Sequence, residues 1–271
     1  MIKLRIAIPT LNVGHTLSMT LESLQEFGDF AEVVIIDSGS TDETLPIAER
    51  YGVPVRYHTP GNMYAAINAG LVDSEADWLT YINGDDILYA SNVIERIQVA
   101  QRDDEVLYGA VDFIDDEGRF LHAWKSARPN HLLLLYEAGY SPMLQQGTLF
   151  SNRVFKRNQG FSLDYKYVSD ADFWFRALQA GVKFSRAENP TIAGFRLHAG
   201  QFSKRMETAM KQEHVQMWKD RTRNAKCSSS AMKELWVWRF DNRYNYIERV
   251  IRRDALEGRI CMARSYDLFA R

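Results

Sequence analysis

The sequence predicts an α/β fold, a mostly parallel sheet flanked by helices, followed by a helical C-terminal extension. Two observations lead to this prediction. Apolar strand-like segments alternate with amphipathic helical segments over residues 4–101, and such alternation is typical of a parallel sheet with right-handed crossovers and helices on both faces. Residues 205–271 carry aromatic side chains at helical spacing, which predicts helices rather than further strands.

The first half of the chain is predicted to contain four strands and four helices in alternation. Short apolar runs predict strands over residues 4–8, 32–37, 53–58 and 78–83. Leu17, Leu21 and Leu24 recur at spacings of four and three and form one face of the first helix. A Ser-x-x-Glu capping box at Ser40–Glu43 predicts the start of the second helix, which ends near Tyr51. The other helices are expected at 63–71 and 91–101.

The pattern changes in the second half. Two strand-like segments flank the turn-forming residues Asp115–Gly118, and this spacing predicts a hairpin. The sequence has no internal repeat, no low-complexity tract and no linker rich in Pro, Gly or Ser. We therefore predict one main domain over residues 1–204 and a basic, aromatic helical extension over residues 205–271.

The composition excludes several classes of protein. With 46% hydrophobic and 25% charged residues among 271, the chain is neither disordered nor fibrous. The longest apolar candidate, Leu132–Leu135, is far shorter than the roughly 18 residues that a membrane span needs. Pro9 and Asn12 interrupt the apolar N-terminus before a signal-peptide core develops. Cys227 and Cys261 show no pairing or metal-binding spacing, so we expect reduced thiols in a cytoplasmic chain.

The charge is distributed unevenly along the chain. Residues 201–271 contain 16 Lys and Arg against 9 Asp and Glu, a net charge of +7, so the overall charge of −2 leaves −9 on residues 1–200. Aromatic side chains are interleaved with these basic residues, namely Trp218, Trp236, Trp238, Phe240, Tyr244 and Tyr246. Such a segment is compatible with nucleic acid or with an anionic membrane surface. The alternative is a tail whose aromatic residues pack on the body of the protein.

Polar residues follow three of the predicted parallel strands. They are Pro9-Thr10-Leu11-Asn12, Asp37-Ser38-Gly39-Ser40 and Asn83-Gly84-Asp85-Asp86. Each taken alone could be a strand exit, a helix cap or a turn. Ligands of open parallel sheets bind beyond the carboxyl ends of the strands, so together these segments predict one binding crevice. No GxGxxG follows the first strand and GxxxxGK[ST] is absent, which disfavours dinucleotide and P-loop phosphate sites.

Adjacent carboxylates in the third polar segment indicate a divalent cation. Asp85 and Asp86, with the amide of Asn83 two residues before the first, offer the oxygen ligands that Mg²⁺ or Mn²⁺ takes. Such a cation keeps part of its coordination shell open, and phosphate oxygens can complete it. The sequence therefore predicts a metal ion that binds a diphosphate.

The order of several short motifs resembles a known family. PTLN, IIDSGSTDET, MYAAINAGL, YINGDD, QQGTLF, SDADFWFR and RLHAGQFSK occur in this order between about residues 4 and 204. The series looks like the inverting nucleotide-sugar glycosyltransferases of family two, which have the GT-A fold, a Rossmann-like, mixed and mostly parallel sheet. By this resemblance residues 1–204 form the GT-A catalytic domain.

The resemblance implies roles for the donor-site residues. The DxD motif is matched by Asn83-Gly84-Asp85, where an amide replaces the first carboxylate. Asp85 is then the expected metal ligand, and Asn83 is suited to a ribose or phosphate hydrogen bond. Asp37 matches the acid that contacts the nucleobase, and Pro9, Thr10, Leu11 and Asn12 line the nucleoside.

The second half supplies the remaining roles that the resemblance implies. Asp170 matches the general base, and Asp172 is the alternative. His198 is expected to bind the metal or a phosphate. Gln146 is expected to line the acceptor or donor-sugar pocket, with Asp172 near it.

The expected activity is transfer of a sugar from a nucleoside diphosphate donor, UDP or dTDP being favoured, to a glycan or lipid-linked hydroxyl, with inversion. The resemblance suggests assembly of surface polysaccharide at the inner face of the cell membrane, with no nucleic-acid partner; a homo-oligomer is left open. A nucleotidyltransferase is an alternative, but PTLNVGH lacks the glycine-rich loop and basic residue typical of one. An inactive nucleotide-sugar or glycan-binding module is another, because Asn83 replaces an acid.

Overall fold

The computed structural model describes residues 3–187, 189–198, 200–222 and 229–243. The strands are β1 (Leu4–Thr10), β2 (Ala31–Asp37), β3 (Val55–Tyr57), β4 (Trp78–Tyr81), β5 (Ile87–Leu88), β6 (Val106–Gly109), β7 (Val111–Ile114), β8 (Phe120–Trp124), β9 (Thr148–Ser151), β10 (Phe184–Ala187) and β11 (Ala193–Arg196). The helices are α1 (Gly14–Gln25), α2 (Thr44–Arg50), α3 (Met63–Leu71), α4 (Ala90–Gln98), α5 (Pro129–Glu137), α6 (Asn152–Arg157), α7 (Ser169–Gln179), α8 (Phe202–Arg205), α9 (Glu207–Arg221) and α10 (Ser229–Asp241).

The strands form two sheets. The larger has the order β10-β6-β9-β4-β1-β2-β3, in which only β9 runs antiparallel to its neighbours. The smaller has the order β5-β11-β7-β8 and contains the hairpin of β7 and β8. The predicted alternation and hairpin are therefore confirmed, and the carboxyl ends of β1, β2 and β3 meet at one edge of the larger sheet.

Two apolar cores cover the faces of the larger sheet. Leu4, Ile6 and Ile8 of β1 point into one core, which they share with α1, whereas Ala7 points into the other, which β1 shares with α3. Side chains alternate between faces along a strand, so a central strand covered on both sides must be apolar throughout. This explains the continuous apolar run at the N-terminus.

The predicted capping box at Ser40–Glu43 is wrong. Helix α2 begins at Thr44, and the Asp42 carboxylate accepts the Thr44 N–H (3.0 Å) as well as the Gly14 N–H (2.9 Å). The Ser40 hydroxyl instead contacts Asp37. The local pattern signals a helix start, but the Ser40 side chain binds Asp37 and the Asn12 N–H at the strand ends instead. Strand boundaries also differ slightly, since β4 ends at Tyr81.

The C-terminal helices share the core of the main domain. Met217 of α9 and Leu235 and Trp238 of α10 lie in the same buried cluster as α5 and α7. The Trp238 indole N–H donates to the Lys125 carbonyl at 2.8 Å. Residues 207–221 and 229–241 are thus helical, as predicted, and one face of α10 packs on the body. Tyr244, Tyr246, Cys227 and Cys261 lie outside the described residues.

Within the described ranges, none of the helices combines the length and apolar character needed to cross a bilayer.

Candidate active site

One buried carboxylate, Asp37, organises the loop after β2. Its Oδ1 accepts the N–H groups of Gly39 and Ser40, both at 2.8 Å, and its Oδ2 accepts the hydroxyls of Thr10 (2.8 Å) and Ser40 (2.5 Å). Burial alone would raise the pKa of Asp37, but these hydrogen bonds outweigh it and lower the pKa. Asp37 therefore shapes the loop as an ionised acceptor, and its contact with a nucleobase stays a prediction.

The loop after β1 is fastened to the loop after β2. Asn12 adopts a left-handed backbone (φ 55°); its N–H donates to Ser40 Oγ (2.9 Å), and its Oδ1 accepts the Thr41 N–H (2.8 Å). Leu11 is left 51% exposed. The residues predicted to line the nucleoside, Pro9–Asn12, thus lie together at the expected sheet edge.

The turn after β4 packs tightly against α1. Asn83 Nδ2 donates to Asp86 Oδ2 at 3.2 Å. Gly84 has no room for a side chain, because a Cβ there would lie 2.8 Å from Val13 Cγ2, and its carbonyl accepts the Thr16 hydroxyl at 2.7 Å. The structure thus gives Asn83 and Gly84 roles within the turn, and their contacts with the donor stay predictions.

Asp85 and His198, the two residues predicted as metal ligands, lie side by side. His198 Nε2 is 2.9 Å from Asp85 Oδ2, although the residues are 113 positions apart. The ring of His15, in the first turn of α1, lies 5.4 Å from the His198 ring. In the part of the chain that is described, no three His, Cys, Asp or Glu side chains are arranged to hold a metal. A cation here would take two protein ligands, and phosphate oxygens or water would complete its shell.

A buried carboxylate, Asp86, supports this pair. Its Oδ1 accepts the Arg196 N–H (2.9 Å) and its Oδ2 accepts Gln146 Nε2 (3.1 Å). Burial and the charge of Asp85 raise the pKa of Asp86, while the hydrogen bonds from Arg196, Gln146 and Asn83 oppose that rise. The prediction that Gln146 lines the acceptor or donor-sugar pocket stays a prediction. Gln146 is 6% exposed, and its amide is needed to satisfy a buried carboxylate.

Arg196 is a site residue that sequence reasoning missed. It is buried, and its Nε donates to the Asp85 carbonyl at 2.8 Å. Its Nη1 donates to the carbonyls of Asp115 (3.0 Å) and Asp116 (2.8 Å) in the hairpin turn. Because His198 follows two residues later, Arg196 fixes both members of the Asp85–His198 pair. A lone arginine in an apolar strand segment was the available signal, since arginine is rarely buried without partners.

Asp170, the predicted general base, lies in the first turn of α7. Its Oδ1 accepts the Tyr64 hydroxyl at 2.9 Å. Tyr64 is in the first turn of α3, which follows β3, so this contact brings Asp170 to the sheet edge where the other loops meet. Burial raises the pKa of Asp170, although the Tyr64 hydrogen bond partly opposes it. Tyr64 was not among the predicted site residues, because nothing in its local sequence pattern separates it from a core aromatic residue.

Asp172 has a different environment from Asp170. Its side chain is fully buried, and its two oxygens accept Arg176 Nε (2.7 Å) and Arg221 Nε (2.6 Å). The structure thus gives Asp172 a role in ion pairs, and its place in the acceptor pocket stays a prediction. The residue turns away from Asp170 into ion pairs that join α7 to α9, as residues two apart on a helix must point in different directions.

Comparison of the sequence with known proteins identifies the family of this chain. The model of Glycosyl transferase family 2 matches residues 5–158, more than half of the chain. A PGL/p-HBAD biosynthesis glycosyltransferase of Mycobacterium bovis is 28% identical over 206 residues, covering 72% of this chain and 77% of the relative.

Solved structures share the architecture at low sequence identity. S. aureus TarS 1-349 in complex with UDP-GlcNAc has a TM-score of 0.63 at 17% identity, covering 86% of this chain and 69% of that one. This chain spans only 39% of a longer S. aureus TarS chain. The mannosyltransferase PcManGT from Pyrobaculum calidifontis, in complex with GDP-Man and Mn²⁺, has a TM-score of 0.63 at 15% identity, covering 89% and 71%.

These neighbours have the GT-A fold, so the predicted fold class is confirmed. With a family match over more than half its length and strand-end loops arranged as described, this chain belongs to glycosyl transferase family 2.

Proposed function

We propose that this glycosyltransferase moves a sugar from a nucleoside diphosphate sugar to a hydroxyl acceptor with inversion at the anomeric carbon. The observation that carries the proposal is the placement of two groups on different elements. Asp85 and His198 pair at the turn after β4, whereas Asp170, a carboxylate of raised pKa, lies on α7. In an inverting reaction the acceptor attacks from the face opposite the departing diphosphate, so the base and the leaving-group site must be separate.

Asp85 and His198 would hold a divalent cation, Mn²⁺ or Mg²⁺. Their converging atoms are a carboxylate oxygen and an imidazole nitrogen, a donor set that suits Mn²⁺ and that Mg²⁺ accepts less readily. When bound, the cation supplies positive charge to the departing diphosphate. Arg196 contributes by positioning: it donates to the Asp85 carbonyl, so the Asp85 carboxylate stays directed at His198.

Asp170 takes the proton of the acceptor hydroxyl. A hydroxyl is a poor nucleophile at neutral pH, and a carboxylate whose pKa is raised by burial is a better proton acceptor than an exposed one. The Tyr64 hydroxyl donates to Oδ1 and orients the carboxylate.

The donor class is supported by the neighbours in complex with UDP-GlcNAc and GDP-Man. Among nucleobases we favour uracil or thymine, as the sequence resemblance implies. For the acceptor we propose a glycan or lipid-linked hydroxyl in surface polysaccharide assembly.

The test of this activity is stereochemical. Purified protein is incubated with Mn²⁺, a panel of nucleoside diphosphate sugars and hydroxyl acceptors, and the anomeric configuration of the product is read by NMR. We expect inversion, and we expect Asp170→Asn to lower kcat about 10²- to 10⁴-fold, as loss of a general base does, without changing donor affinity. Retention of configuration would overturn the mechanism. Donor binding without turnover in the unmodified protein would indicate the inactive binding module.

Metal dependence is tested separately. We expect EDTA or Asp85→Ala to abolish transfer, and His198→Ala to lower the rate by about 10- to 100-fold, as loss of one metal or phosphate contact does. Undiminished turnover in EDTA would rule the cation out, and an unchanged rate in His198→Ala would make this histidine structural.

We also propose that α10 rests on an anionic membrane surface at the cytoplasmic face. Met232, Trp236 and Phe240 recur every fourth residue and form a stripe that is 40%, 63% and 64% exposed. Arg239 and Arg243 lie over the rings of the last two, at 5.8 and 4.6 Å from the ring centroids. A basic, aromatic stripe of this kind suits the boundary between lipid headgroups and acyl chains.

The acidic residues of α10 face the other way. Glu234 contacts His131 of α5 at 2.7 Å, and Asp241 lies 3.9 Å from Arg128. Their pairing with the body leaves the outer side of the helix basic, which favours anionic lipid.

Vesicle co-sedimentation tests the membrane proposal. We expect binding to phosphatidylglycerol-containing vesicles at low salt, release at high salt because screening weakens the contacts, and loss of binding in Trp236→Ser/Phe240→Ser. Phe120→Ser is the matched control, since Phe120 is equally exposed at 63% but lies on β8. Failure to sediment at low salt, or equal loss in the control, would refute the proposal.

A further inference from the structure

Helices α7 and α9 both lie beyond the region that the family model matches, and α9 contacts the segment that precedes Asp170. One oxygen of Glu213 accepts the Lys166 N–H at 2.7 Å. The other accepts the N–H groups of Tyr167 (2.5 Å) and Val168 (3.0 Å). A single carboxylate thus binds three consecutive backbone amides immediately before α7.

Three N–H groups that point to one place form a cradle for an anion, and Glu213 fills it. Filling it fixes the backbone at residues 166–168. Asp170 follows two residues later, in the first turn of α7. On the other side of this backbone, the Tyr64 hydroxyl lies 3.2 Å from the Tyr167 carbonyl and 2.9 Å from Asp170 Oδ1. The position of the Asp170 carboxylate is therefore set between Tyr64 and Glu213.

Further contacts from α9 hold the same segment at its two ends. Asp220 accepts the Tyr165 hydroxyl at 2.9 Å, and Arg221 binds Asp172 at 2.6 Å. The helix is itself anchored, because Met217 is buried in the main core. Glu213 and Met217 are one turn apart, so the face of α9 that enters the core also presents Glu213 to the segment before α7.

We propose that Glu213 is a positioning residue for Asp170: it holds residues 166–168 so that the carboxylate is aimed at the acceptor hydroxyl. The proposal rests on the function proposed above, in which Asp170 is the base. Glu213 touches no reacting atom, and its effect passes through the backbone. A helix of the C-terminal extension is then part of the catalytic apparatus.

A double-mutant cycle tests this role. We expect Glu213→Ala to lower kcat about 10- to 100-fold, as small misplacements of a catalytic group do, and to leave the donor KM unchanged. In the Asp170→Asn background the same substitution should cost less than about twofold, because residues that act as one unit are not additive. Glu213→Gln, which keeps an acceptor oxygen, should restore part of the rate. Glu207→Gln is the control, since Glu207 is on the same helix and pairs with Lys211 at its surface.

Hydrogen exchange provides a readout that does not need turnover. Amides 166–168 should exchange at least about tenfold faster in Glu213→Ala than in Glu207→Gln, because the hydrogen bonds that protect them are lost. Equal loss of kcat in both backgrounds, or a raised donor KM, would overturn the positioning role. Full activity of the Asp170→Asn variant would instead show that Asp170 is not the base. If Asp170→Asn is impaired but Glu213→Ala is fully active, only the positioning role of Glu213 is overturned.

Discussion

Two aspartates in one helix turn show how strongly the environment decides a residue's role. Asp170 has one hydroxyl donor and a pKa raised by burial. Asp172 is fully buried between two arginines. A carboxylate with a hydroxyl partner and a raised pKa can take up a proton, whereas one neutralised by two guanidinium groups holds the fold together.

Tyr64→Phe is expected to shift the pH dependence of transfer. The Tyr64 hydrogen bond stabilises the ionised form of Asp170 and lowers its pKa, so its removal raises that pKa further. The base must be ionised, so activity falls as pH falls through this pKa, and the acid limb of the kcat profile should move to higher pH. Tyr108→Phe is the matched control, because it also loses a buried hydroxyl hydrogen bond, to the Ala127 carbonyl. Coincident profiles for Tyr64→Phe and the unmodified protein would contradict the assignment.

Asp172→Ala is expected to lower the stability of the folded protein. Removing the shared anion leaves Arg176 and Arg221 without their buried partner and should cost about 3 kcal/mol of unfolding free energy, as breaking buried ion pairs does. Urea denaturation measures this cost. Asp170→Asn should change the midpoint much less. A loss of kcat without a loss of stability in Asp172→Ala would return Asp172 to the active site.

The close approach of helix α3 to the larger sheet determines the position of Tyr64. Gly70 near the end of α3 faces β2, and a Cβ there would lie 2.4 Å from Ile36 Cδ1 and 3.1 Å from Ala7 Cβ. Only glycine lets the helix pack this closely. The helix position in turn sets where the Tyr64 hydroxyl meets Asp170.

Gly70→Ala is expected to destabilise the protein by about 1–3 kcal/mol, the usual cost of overpacking a core. Ile36→Val removes the atom that clashes most and should recover part of the loss, so the two substitutions are predicted to be non-additive. Thermal unfolding of the single and double variants measures this. A Gly70→Ala variant as stable as the unmodified protein would show that α3 can shift without cost.

At the scale of the whole molecule, α9 and α10 complete the core rather than trail from it. Met217, Leu235 and Trp238 are buried with residues of α5 and α7, and the Trp218 indole N–H donates to the Glu137 carbonyl at 2.8 Å. One side of α10 can therefore pack on the body while the opposite side carries the exposed stripe proposed to contact a membrane.

A chain that ends at residue 204 is expected to be insoluble or to lose cooperative unfolding. The truncation exposes apolar surface on α5 and α7 that α9 and α10 cover, and burial of such surface contributes about 25 cal/mol per Å². Soluble yield and calorimetry measure the effect. A soluble fragment with one sharp unfolding transition would show that residues 1–204 fold as an independent domain.

The alternation of strands and helices, the hairpin and the three polar segments of the crevice are predictable from the amino-acid sequence. These follow from short-range patterns, and parallel strands bring their carboxyl ends to one edge whatever the details of packing. The order of motifs also pointed to Asp85 and His198, whose side chains lie 2.9 Å apart in the structure.

The hydrogen-bond partner of each buried polar group depends instead on tertiary packing. Ser40 Oγ accepts the Asn12 N–H from 28 positions away, Gln146 donates to Asp86 from 60 positions away, and Glu213 accepts backbone N–H groups 45 to 47 positions away. A local pattern reports which face of an element is apolar, but a buried donor or acceptor must be satisfied by whichever side chain the packing brings near, however distant it is along the chain.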